Sequence, residues 1–402
     1  MPKKVFIAFF IIIVAQKVAK KKGSSMTGYY VVFAVLGGLT LYVIVMLFLN
    51  RTPPLTKTPT IDDKRIDEHN SNFPWKQGAN KFFEGTTLAE AKKIVTSSFS
   101  SHSNLPRCNT DETIIAPENF DARSQWADCV SPVANQQKTC GSSYAIGLAQ
   151  TFAERACIAS TKPKLVTLSA QDLLSCDYTN QGCKGGYLNL GLEHLKTKGI
   201  VEESCFPYEA DSDTVKCEKK CKDGAKHRIE NSCLLIGEED IKRDVFRNGP
   251  VVTVTHIHVD FLTYKSGIYR KGDEVPRFSG FQTVKIVGWG TETGEGESNK
   301  GERYWIVQNT WGDDWGENGY AKIAMGQEMM FDQYAYSIRV RSDRAPSSEQ
   351  RTQDSAKTQD NTQNKASTEE ANTENVDLDD LKLDEEKPAD ETNEKEKRKT
   401  EA

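Results

Sequence analysis

Residues 137–146 read QKTCGSSYAI, a stretch in which two serine hydroxyls directly follow a Cys-Gly pair. A serine hydroxyl, unlike a thiol, has almost no ionised fraction near pH 7, so it needs an adjacent base before it can act as a nucleophile. Whether Ser143 in this stretch supports any chemistry therefore depends on a base supplied from elsewhere in the chain.

The composition indicates one globular domain with appended segments. At 402 residues the chain exceeds one typical domain, and its hydrophobic content of 37% is low for a purely globular protein, which indicates a disordered portion. The net charge of -5 is modest and gives no indication of a nucleic-acid partner, so we expect none.

All ten cysteines lie between Cys108 and Cys233, and none lies in the terminal segments. Such clustering is typical of a disulfide framework formed in an oxidising compartment. A metal site would need paired C-x-x-C spacing, which does not occur, since Cys217 and Cys221 are spaced C-x-x-x-C without a neighbouring histidine pair. We therefore expect disulfides, and neither a metal nor another cofactor.

Two apolar runs near the N-terminus differ in length. Val5–Ala15 is too short to span a bilayer, which needs about 20 residues, whereas Tyr29–Leu49 is long enough. Lysines precede the longer run, so the positive-inside rule places residues 1–28 in the cytoplasm, residues 29–50 in the membrane and the rest in the lumen or outside the cell. This pattern predicts a single-pass type II membrane protein of the endolysosome or the cell surface.

Alternatively, residues 1–15 form the core of a signal peptide. Val14-Ala15-Gln16 is a poor cleavage site for such a signal, and cleavage would leave the cysteines in the cytosol. The signal anchor is the interpretation that agrees with the expected disulfides.

Three further segments follow from composition. Residues 51–65 are a stalk rich in Pro and Thr, residues 117–340 carry the globular domain, and residues 341–402 contain no aromatic residue. The last segment cannot bury enough apolar surface to offset chain entropy, which predicts a disordered acidic tail. Within it, Val376–Glu386 interleaves leucines with acids, and a solvated tail is favoured there over a docking motif.

A series of landmarks occurs in order between residues 66 and 340. They are NFPWKQGANKF (72–82), FDAR (120–123), CGSSYA (140–145), LSAQDLLSC (168–176), GCKGGY (182–187), GIVEESCFPYEA (199–210), NGPV (248–251), DFLTYKSGIY (260–269), VGWG (287–290) and YWIVQNTWGDDWGENGY (304–320). In order and spacing the chain resembles the papain-like cysteine peptidases, on the cathepsin B-like side, and residues 199–210 resemble its dipeptidyl-peptidase members. By the same resemblance, residues 66–116 are a propeptide-like segment.

The resemblance implies an α+β fold of two lobes with the substrate cleft between them. A helical lobe would carry the nucleophile at a helix N-terminus, and a β-barrel-like lobe would carry the histidine base and the asparagine that orients it. The nucleophile position is Ser143, the orienting asparagine is Asn309, and the glutamine that holds the oxyanion is Gln137. The base should lie six residues before Gly288, where this chain has Gln282.

An amide at position 282 has no useful basicity near neutral pH. None of the six histidines lies beyond residue 258, so no local shift of the alignment around position 282 recovers one. Without nucleophile and base the several orders of magnitude that they jointly supply should be lost, which predicts an inactive homologue. The alternative is that His256 or His258, on one face of a predicted strand with Val254, reaches Ser143.

Other positions of the resemblance concern peptide binding. Gly185 and Gly186 would let an extended peptide approach the backbone, although a tight turn explains the pair equally well. Val254 and Thr283 would form the floor of an apolar side-chain pocket. Trp311 follows the asparagine as in the family, where it shields that side chain from water, although core packing is the commoner role of such a residue.

The resemblance also implies a disulfide pattern. The implied bridges are Cys129–Cys157, Cys140–Cys183, Cys176–Cys217 and Cys205–Cys221, which leave Cys108 and Cys233 unassigned. A bridge between these two would tie the propeptide-like segment to the body, but the resemblance does not assign it. The occluding loop of cathepsin B, with its histidine pair, has no counterpart, because only twelve steps separate Cys205 from Cys217.

Three functions follow as hypotheses. The first is a membrane-anchored, catalytically inactive protein that serves as an adhesion or scaffold module, with its own propeptide-like segment or another peptide in the cleft. The second is an active lysosomal or extracellular endopeptidase of the cysteine type, or a serine variant of it. The third is a decoy that binds peptides, inhibitors or active relatives.

Overall fold

A computed structural model describes residues 55–98, 105–209, 216–218, 221, 224–272, 277–294, 300–327, 329, 331 and 333–341. The described residues from Pro59 onward belong to one compact unit. The predicted cytoplasmic segment 1–28, transmembrane helix 29–50 and the tail beyond Arg341 lie outside the described residues. Among the residues that are described, no helix is both long and apolar enough to cross a bilayer.

Four of the seven α-helices in the described ranges begin at a capping side chain, namely Asp62, Thr87, Asp121 or Ser169. The Thr87 side chain accepts the N–H of Glu90, whose carboxylate accepts the N–H of Thr87 in return, and the Ser169 side chain accepts the N–H of Asp172. In the described ranges the α-helices are α1 (Asp63–Asn72), α2 (Leu88–Ile94), α3 (Ala122–Gln125), α4 (Ser143–Ala159), α5 (Ala170–Cys176), α6 (Leu188–Thr197) and α7 (Glu238–Asn248), and the 3-10 helices are Ala127–Cys129, Gly182–Lys184 and Val259–Thr263.

The strands of the described ranges form a large mixed sheet and a small ribbon. They are β1 (Lys76–Gln77), β2 (Phe120–Asp121), β3 (Asn231–Ile236), β4 (Val251–His258), β5 (Tyr264–Ser266), β6 (Ile268–Tyr269), β7 (Arg277–Thr291), β8 (Arg303–Gln308), β9 (Tyr320–Ala324) and β10 (Tyr334–Arg339). The large sheet has the order β3-β10-β4-β7-β8-β9-β6, with β2 on β7, and β1 pairs with β5. All of these pairs are antiparallel except β6 with β9.

The two expected lobes are present. One apolar core joins α4, α5 and α6, and includes Tyr144, Leu148 and Leu173. The other lies against the sheet and includes Trp289 and Trp305. Helix α4 packs both on α5 and α6 and on strands β4, β7 and β10, so its N-terminus meets the sheet where the lobes adjoin. The α+β architecture of two lobes is therefore confirmed.

The chain before residue 117 belongs to the core of the sheet lobe. Trp75, Phe82, Phe83 and Ile94 are buried in the same cluster as the sheet residues. Burying large aromatic side chains stabilises such a contact by about 2–3 kcal/mol for each residue. The propeptide-like segment is thus an integral layer of the folded unit.

The stalk predicted for residues 51–65 includes residues 59–65, which belong to the folded unit. Thr60 is fully buried and donates its N–H to the carbonyl oxygen of Thr86 at 2.9 Å. Asp62 then caps α1 by accepting the N–H of Arg65 at 3.3 Å. Residues 59–65 therefore pack with the propeptide-like segment, because a helix cap and a buried hydroxyl outweigh their stalk-like composition.

Five disulfides join the ten cysteines. The four bridges implied by the resemblance are confirmed, namely Cys129–Cys157, Cys140–Cys183, Cys176–Cys217 and Cys205–Cys221. Cys108 and Cys233, whose pairing the sequence left open, form the fifth bridge.

Asp260 is a buried carboxyl in the 3-10 helix Val259–Thr263, beside the propeptide-like segment. It accepts a hydrogen bond from the Tyr269 hydroxyl at 2.8 Å, and the Tyr269 ring meets the ring of Trp75 edge-on. Burial raises the pKa of Asp260 from 3.8 to about 6, since desolvation penalises its charged form. The folded state therefore binds this proton more tightly than the unfolded state.

We predict that Asp260→Asn flattens the dependence of stability on pH. In the wild type the contribution of Asp260 is fully present below about pH 4 and is lost as the pH rises through about 6, amounting to roughly 3 kcal/mol. Chemical unfolding with the disulfides intact, at several pH values between 4 and 8, measures the difference. Parallel curves for the two proteins would contradict the assignment.

Candidate active site

Ser143 begins helix α4 at the junction of the lobes and is fully buried. Its Oγ lies 2.9 Å from the Oγ of Ser97, and it accepts the backbone N–H of Thr283 at 3.3 Å. The Oγ of Ser97 also lies 2.8 Å from the Oγ1 of Thr283. Three neutral hydroxyls therefore meet at the predicted nucleophile position, and one of them comes from the propeptide-like segment.

Gln282 faces the asparagine at the predicted base position. Strand register pairs Gln282 of β7 with Thr255 of β4, and the side chain is fully buried. Its Nε2 donates to Asn309 Oδ1 at 3.0 Å, to Gln136 Oε1 at 2.9 Å and to Thr310 Oγ1 at 2.9 Å. The structure thus brings Gln282 and Asn309 together, as the sequence predicts.

Two backbone contacts fix the orientation of these amides. The N–H of Thr310 donates to Asn309 Oδ1 at 2.8 Å, and Gln136 Nε2 donates to the carbonyl oxygen of Cys140 at 3.0 Å. Asn309 Oδ1 and Gln136 Oε1 are therefore the atoms that face Gln282, and Gln282 presents its NH₂ group to both oxygens. Gln282 reproduces the donor that an imidazole would offer Asn309, but not the basicity of an imidazole.

The structure places Gln136, and not the predicted Gln137, beside Gln282. Gln136 is fully buried, whereas Gln137 is exposed, has a positive φ of 67° and donates its N–H to Asn135 Oδ1. The two glutamines are adjacent in the sequence, and the positive φ turns the second one outward.

Residues 94–98 cross the cleft on the helical lobe. The carbonyl oxygen of Ile94 accepts a hydrogen bond from Gln136 Nε2 at 3.3 Å, so the buried glutamine beside Gln282 contacts the propeptide-like segment. The N–H of Ser98 donates to the carbonyl oxygen of Gly186 at 2.9 Å, and Ser98 pairs in parallel with Tyr187. The backbone contact expected of the glycine pair is made by the chain itself.

The same segment is also held by the sheet lobe. The N–H of Phe281 donates to the carbonyl oxygen of Ser97 at 3.1 Å, in an antiparallel bridge. Ile94, Val95 and Ser97 are all buried. The role of Ser97 was not predicted from the sequence. The available signal was the run of hydroxyl residues 96–98 directly after helix α2.

Glycines leave the space that the segment fills. A Cβ at Gly185 would lie 2.0 Å from the carbonyl oxygen of Thr96, and one at Gly280 would lie 2.1 Å from the carbonyl oxygen of Val95. Gly185 also has a φ of 108°, so a tight turn and a close backbone approach both explain it. In both cases the neighbouring atom is backbone, which cannot move aside cheaply.

The remaining predicted binding residues line the same region. Val254 pairs with Thr283 across β4 and β7, and both are buried. The Oγ1 of Thr283 lies within hydrogen-bond distance of Ser97 Oγ, so Thr283 contacts the segment in addition to any role as the floor of a pocket. Trp311 packs edge-on against Phe83 at 4.9 Å, so its observed role is core packing with the propeptide-like segment.

The two histidines of β4 do not bond to Ser143. The ring of His256 lies 4.4 Å from the ring of Phe281, and His258 ends the strand. Among the described residues, the hydrogen bonds of Ser143 Oγ are those with Ser97 and Thr283. The described residues also contain no group of three or more His, Cys, Asp or Glu side chains able to hold a metal ion.

Comparison with known proteins identifies the class. Residues 116–340 match the papain family of cysteine proteases, so the chain belongs to that family. A cathepsin B-like protein of Giardia intestinalis, CP2, is 32% identical over 277 residues, which cover 66% of this chain and 89% of the relative. A cathepsin B-like protease of Arabidopsis thaliana is 30% identical over 310 residues, 65% of this chain and 78% of the relative.

Solved structures agree with this assignment. Procathepsin B S9 from Trypanosoma congolense is 32% identical, with a TM-score of 0.64, and the match covers 71% of this chain and all of that one. A procathepsin L2 from the larval midgut of Tenebrio molitor is 28% identical, with a TM-score of 0.59, over 69% of this chain and 89% of that one. Both relatives are proforms by name, and the chain is a cathepsin B-like homologue within the family.

We predict that Gly280→Ala displaces residues 95–98 from the cleft, because the new Cβ meets the carbonyl oxygen of Val95. Hydrogen exchange of the Phe281 amide, which donates to Ser97, should accelerate roughly tenfold or more, the factor that corresponds to a loss of about 1.4 kcal/mol.

The matched control is Gly290→Ala on the same strand. Its Cβ would meet the flexible end of the Tyr304 side chain, not the propeptide-like segment, so exchange at Phe281 should stay unchanged. Equal exchange at Phe281 in the wild type and in Gly280→Ala would show that the segment does not rest against Gly280.

Proposed function

We propose that this chain is a catalytically silent member of the papain family whose cleft is held by its own residues 94–98. The observation that carries the proposal is the contact of Ser143 Oγ with Ser97 Oγ, at 2.9 Å, beside an amide where a base would stand. The protein would act as an adhesion or scaffold module that offers its outer surface to partners.

The chemistry of the groups around Ser143 and Gln282 supports the proposed lack of catalysis. Ser143 meets only hydroxyls and a backbone N–H among the described residues, and none of these can accept its proton near neutral pH. Gln282 Nε2 already donates to oxygen atoms, and an amide does not take up a proton in this range. Because the nucleophile and the base act as a unit, the loss of both removes most of their joint contribution to the rate.

The neutral side chains at positions 143 and 282 also favour permanent occupation of the cleft by residues 94–98. A thiolate and an imidazolium are charged, and burying charges beneath a peptide carries a desolvation penalty of several kcal/mol for each ion. A serine hydroxyl and an amide are neutral; Ser143 Oγ is hydrogen-bonded to Ser97 of the segment, and Gln282 Nε2 donates to the side chains around it. The two substitutions that remove catalysis therefore strengthen the hold on residues 94–98. The proform character of the structural relatives agrees with an attached segment.

The proposed setting is a membrane facing an oxidising compartment. The apolar run 29–50 after a lysine-rich start supports a type II anchor, and five disulfides support a lumenal or extracellular domain. In this setting the protein would display a stable papain-like surface close to the bilayer.

Activity measurements on restored variants test this proposal. A fluorogenic peptide should be hydrolysed by the combination Ser143→Cys, Gln282→His and Gly280→Ala, at least ~100-fold faster than by the wild type or by either catalytic substitution alone. The same pair without Gly280→Ala should be slower, because residues 94–98 still fill the cleft.

Two results would overturn the proposal. Hydrolysis by the wild type that disappears in Ser143→Ala would establish a serine hydrolase, and loss of that activity in His256→Ala or His258→Ala would identify the base. Tight binding of peptides in the cleft of the wild type, with residues 94–98 displaced, would favour the decoy hypothesis.

A further inference from the structure

Cys108 joins the chain covalently to the domain within the described part of the linker between the cleft segment and strand β2. The Cys108–Cys233 disulfide joins the linker to β3, with both cysteines buried. On either side the backbone pairs with β3, since Cys108 N–H donates to the carbonyl oxygen of Leu234 at 2.8 Å and Leu234 N–H donates to that of Pro106 at 2.9 Å. The backbone of the linker therefore runs beside β3 at the disulfide, in a parallel bridge between Arg107 and Leu234.

Polar contacts extend this attachment by only a few residues. Asp240 of α7 accepts the guanidinium of Arg107 at 3.0 Å and the hydroxyl of Thr110 at 2.7 Å, and Arg247 pairs with Asp111 at 3.0 Å. These ion pairs are partly or largely exposed, so solvent screens them and each adds little to the attachment.

Beyond Asp111 the chain runs over the surface until it rejoins the domain. Glu112, Thr113 and Ile115 are exposed, Ile115 with 89% of its surface accessible. The chain is hydrogen-bonded to the domain again at Pro117, whose carbonyl oxygen accepts a hydrogen bond from Trp289 Nε1 at 2.9 Å. Exposed, polar stretches of this kind are the preferred sites of proteolytic cleavage.

We propose that the Cys108–Cys233 disulfide retains the N-terminal part of the chain on the domain after a cut within residues 112–116. Such a cut separates residues 59–98 from the domain along the backbone but leaves them joined through Cys108. Departure of the N-terminal part then requires two events, the cut and the reduction of this one disulfide. That the retained part fills the cleft rests on the proposed function; the covalent retention does not.

Reduction would proceed by thiol–disulfide exchange. A thiolate of an external dithiol attacks the Sγ of one cysteine and forms a mixed disulfide, while the other cysteine leaves as a thiolate. The second thiol of the reductant then displaces the first cysteine, so that two electrons pass from the dithiol to the protein disulfide. Because Cys108 and Cys233 are buried, the linker must open before attack, which protects the bridge in the uncut chain.

The retained disulfide also keeps the segment at the cleft. A short tether makes rebinding intramolecular, with an effective concentration in the millimolar range. Residues 94–98 of a cut but unreduced protein would therefore return to the cleft at any dilution. After reduction they would be lost to dilution.

The test uses the full chain with a recognition sequence for a site-specific protease inserted between Ile115 and Ala116. After cutting, a denaturing gel without reductant should show one species, and the same cut in the double variant Cys108→Ser, Cys233→Ser should give two fragments. The control variant Cys129→Ser, Cys157→Ser loses a bridge that lies wholly on one side of the cut, so it should still give one species. Two fragments from the unmodified cysteines without reductant would overturn the proposal.

Hydrogen exchange at the Phe281 amide, measured on the cut proteins at high dilution, tests retention at the cleft. Protection should persist with the disulfide present and fall roughly tenfold or more in Cys108→Ser, Cys233→Ser. Unchanged protection in that variant would show that the bridge is not needed, which also overturns the proposal. If the variant does not fold, brief treatment of the cut wild type with a dithiol, with mass spectrometry of Cys108 and Cys233, gives the same comparison.

An unprotected Phe281 amide in the uncut wild type would instead contradict the occupied cleft of the proposed function. The gel result would still decide whether the disulfide retains the N-terminal part.

Discussion

The contact between the Ser97 and Ser143 hydroxyls, 2.9 Å apart, organises the rest of the cleft. It forms only because the backbone of residues 94–98 is fixed from both lobes, by Gly186 on one side and Phe281 on the other. Once these hydrogen bonds are made, the segment occupies the space in which a peptide substrate would lie. The aromatic residues that precede it are buried in the core of the sheet lobe, so displacement of the segment would have to overcome that packing as well.

The amide network is what the proposal of a silent site rests on. Gln282 makes the hydrogen bond to Asn309 that would orient an imidazole, and in addition it engages Gln136 and Thr310. The groups of the network are neutral, so they avoid the burial penalty that ions would bring, although Gln282 Oε1 and Asn309 Nδ2 are buried without a hydrogen-bond partner among the described residues.

Much of this was predictable from the sequence, because the landmarks between residues 66 and 340 fix the order of the elements. The two lobes, the positions of Ser143, Gln282 and Asn309, and four of the five disulfides follow from that order, whereas the pairing of Cys108 with Cys233 was left open. The buried glutamine was not identified, since the match to the family motif points to Gln137, whereas the fold turns Gln137 outward and buries Gln136 beside Gln282. Ser97 was missed because a short hydroxyl run carries no periodicity, and its role depends on backbone contacts made far away in sequence.

Cross-linking measures the central contact most directly. In the double variant Ser97→Cys, Ser143→Cys, mild oxidation of the full chain should form a disulfide between positions 97 and 143, because the side-chain oxygens there are 2.9 Å apart. Mass spectrometry of the digested protein would detect the bridge, with Ser97→Cys, Ser160→Cys as the control, because Ser160 follows the far end of the helix that Ser143 begins. The account predicts nearly complete cross-linking at positions 97 and 143. No cross-link there, with both thiols present and the protein folded, would contradict it.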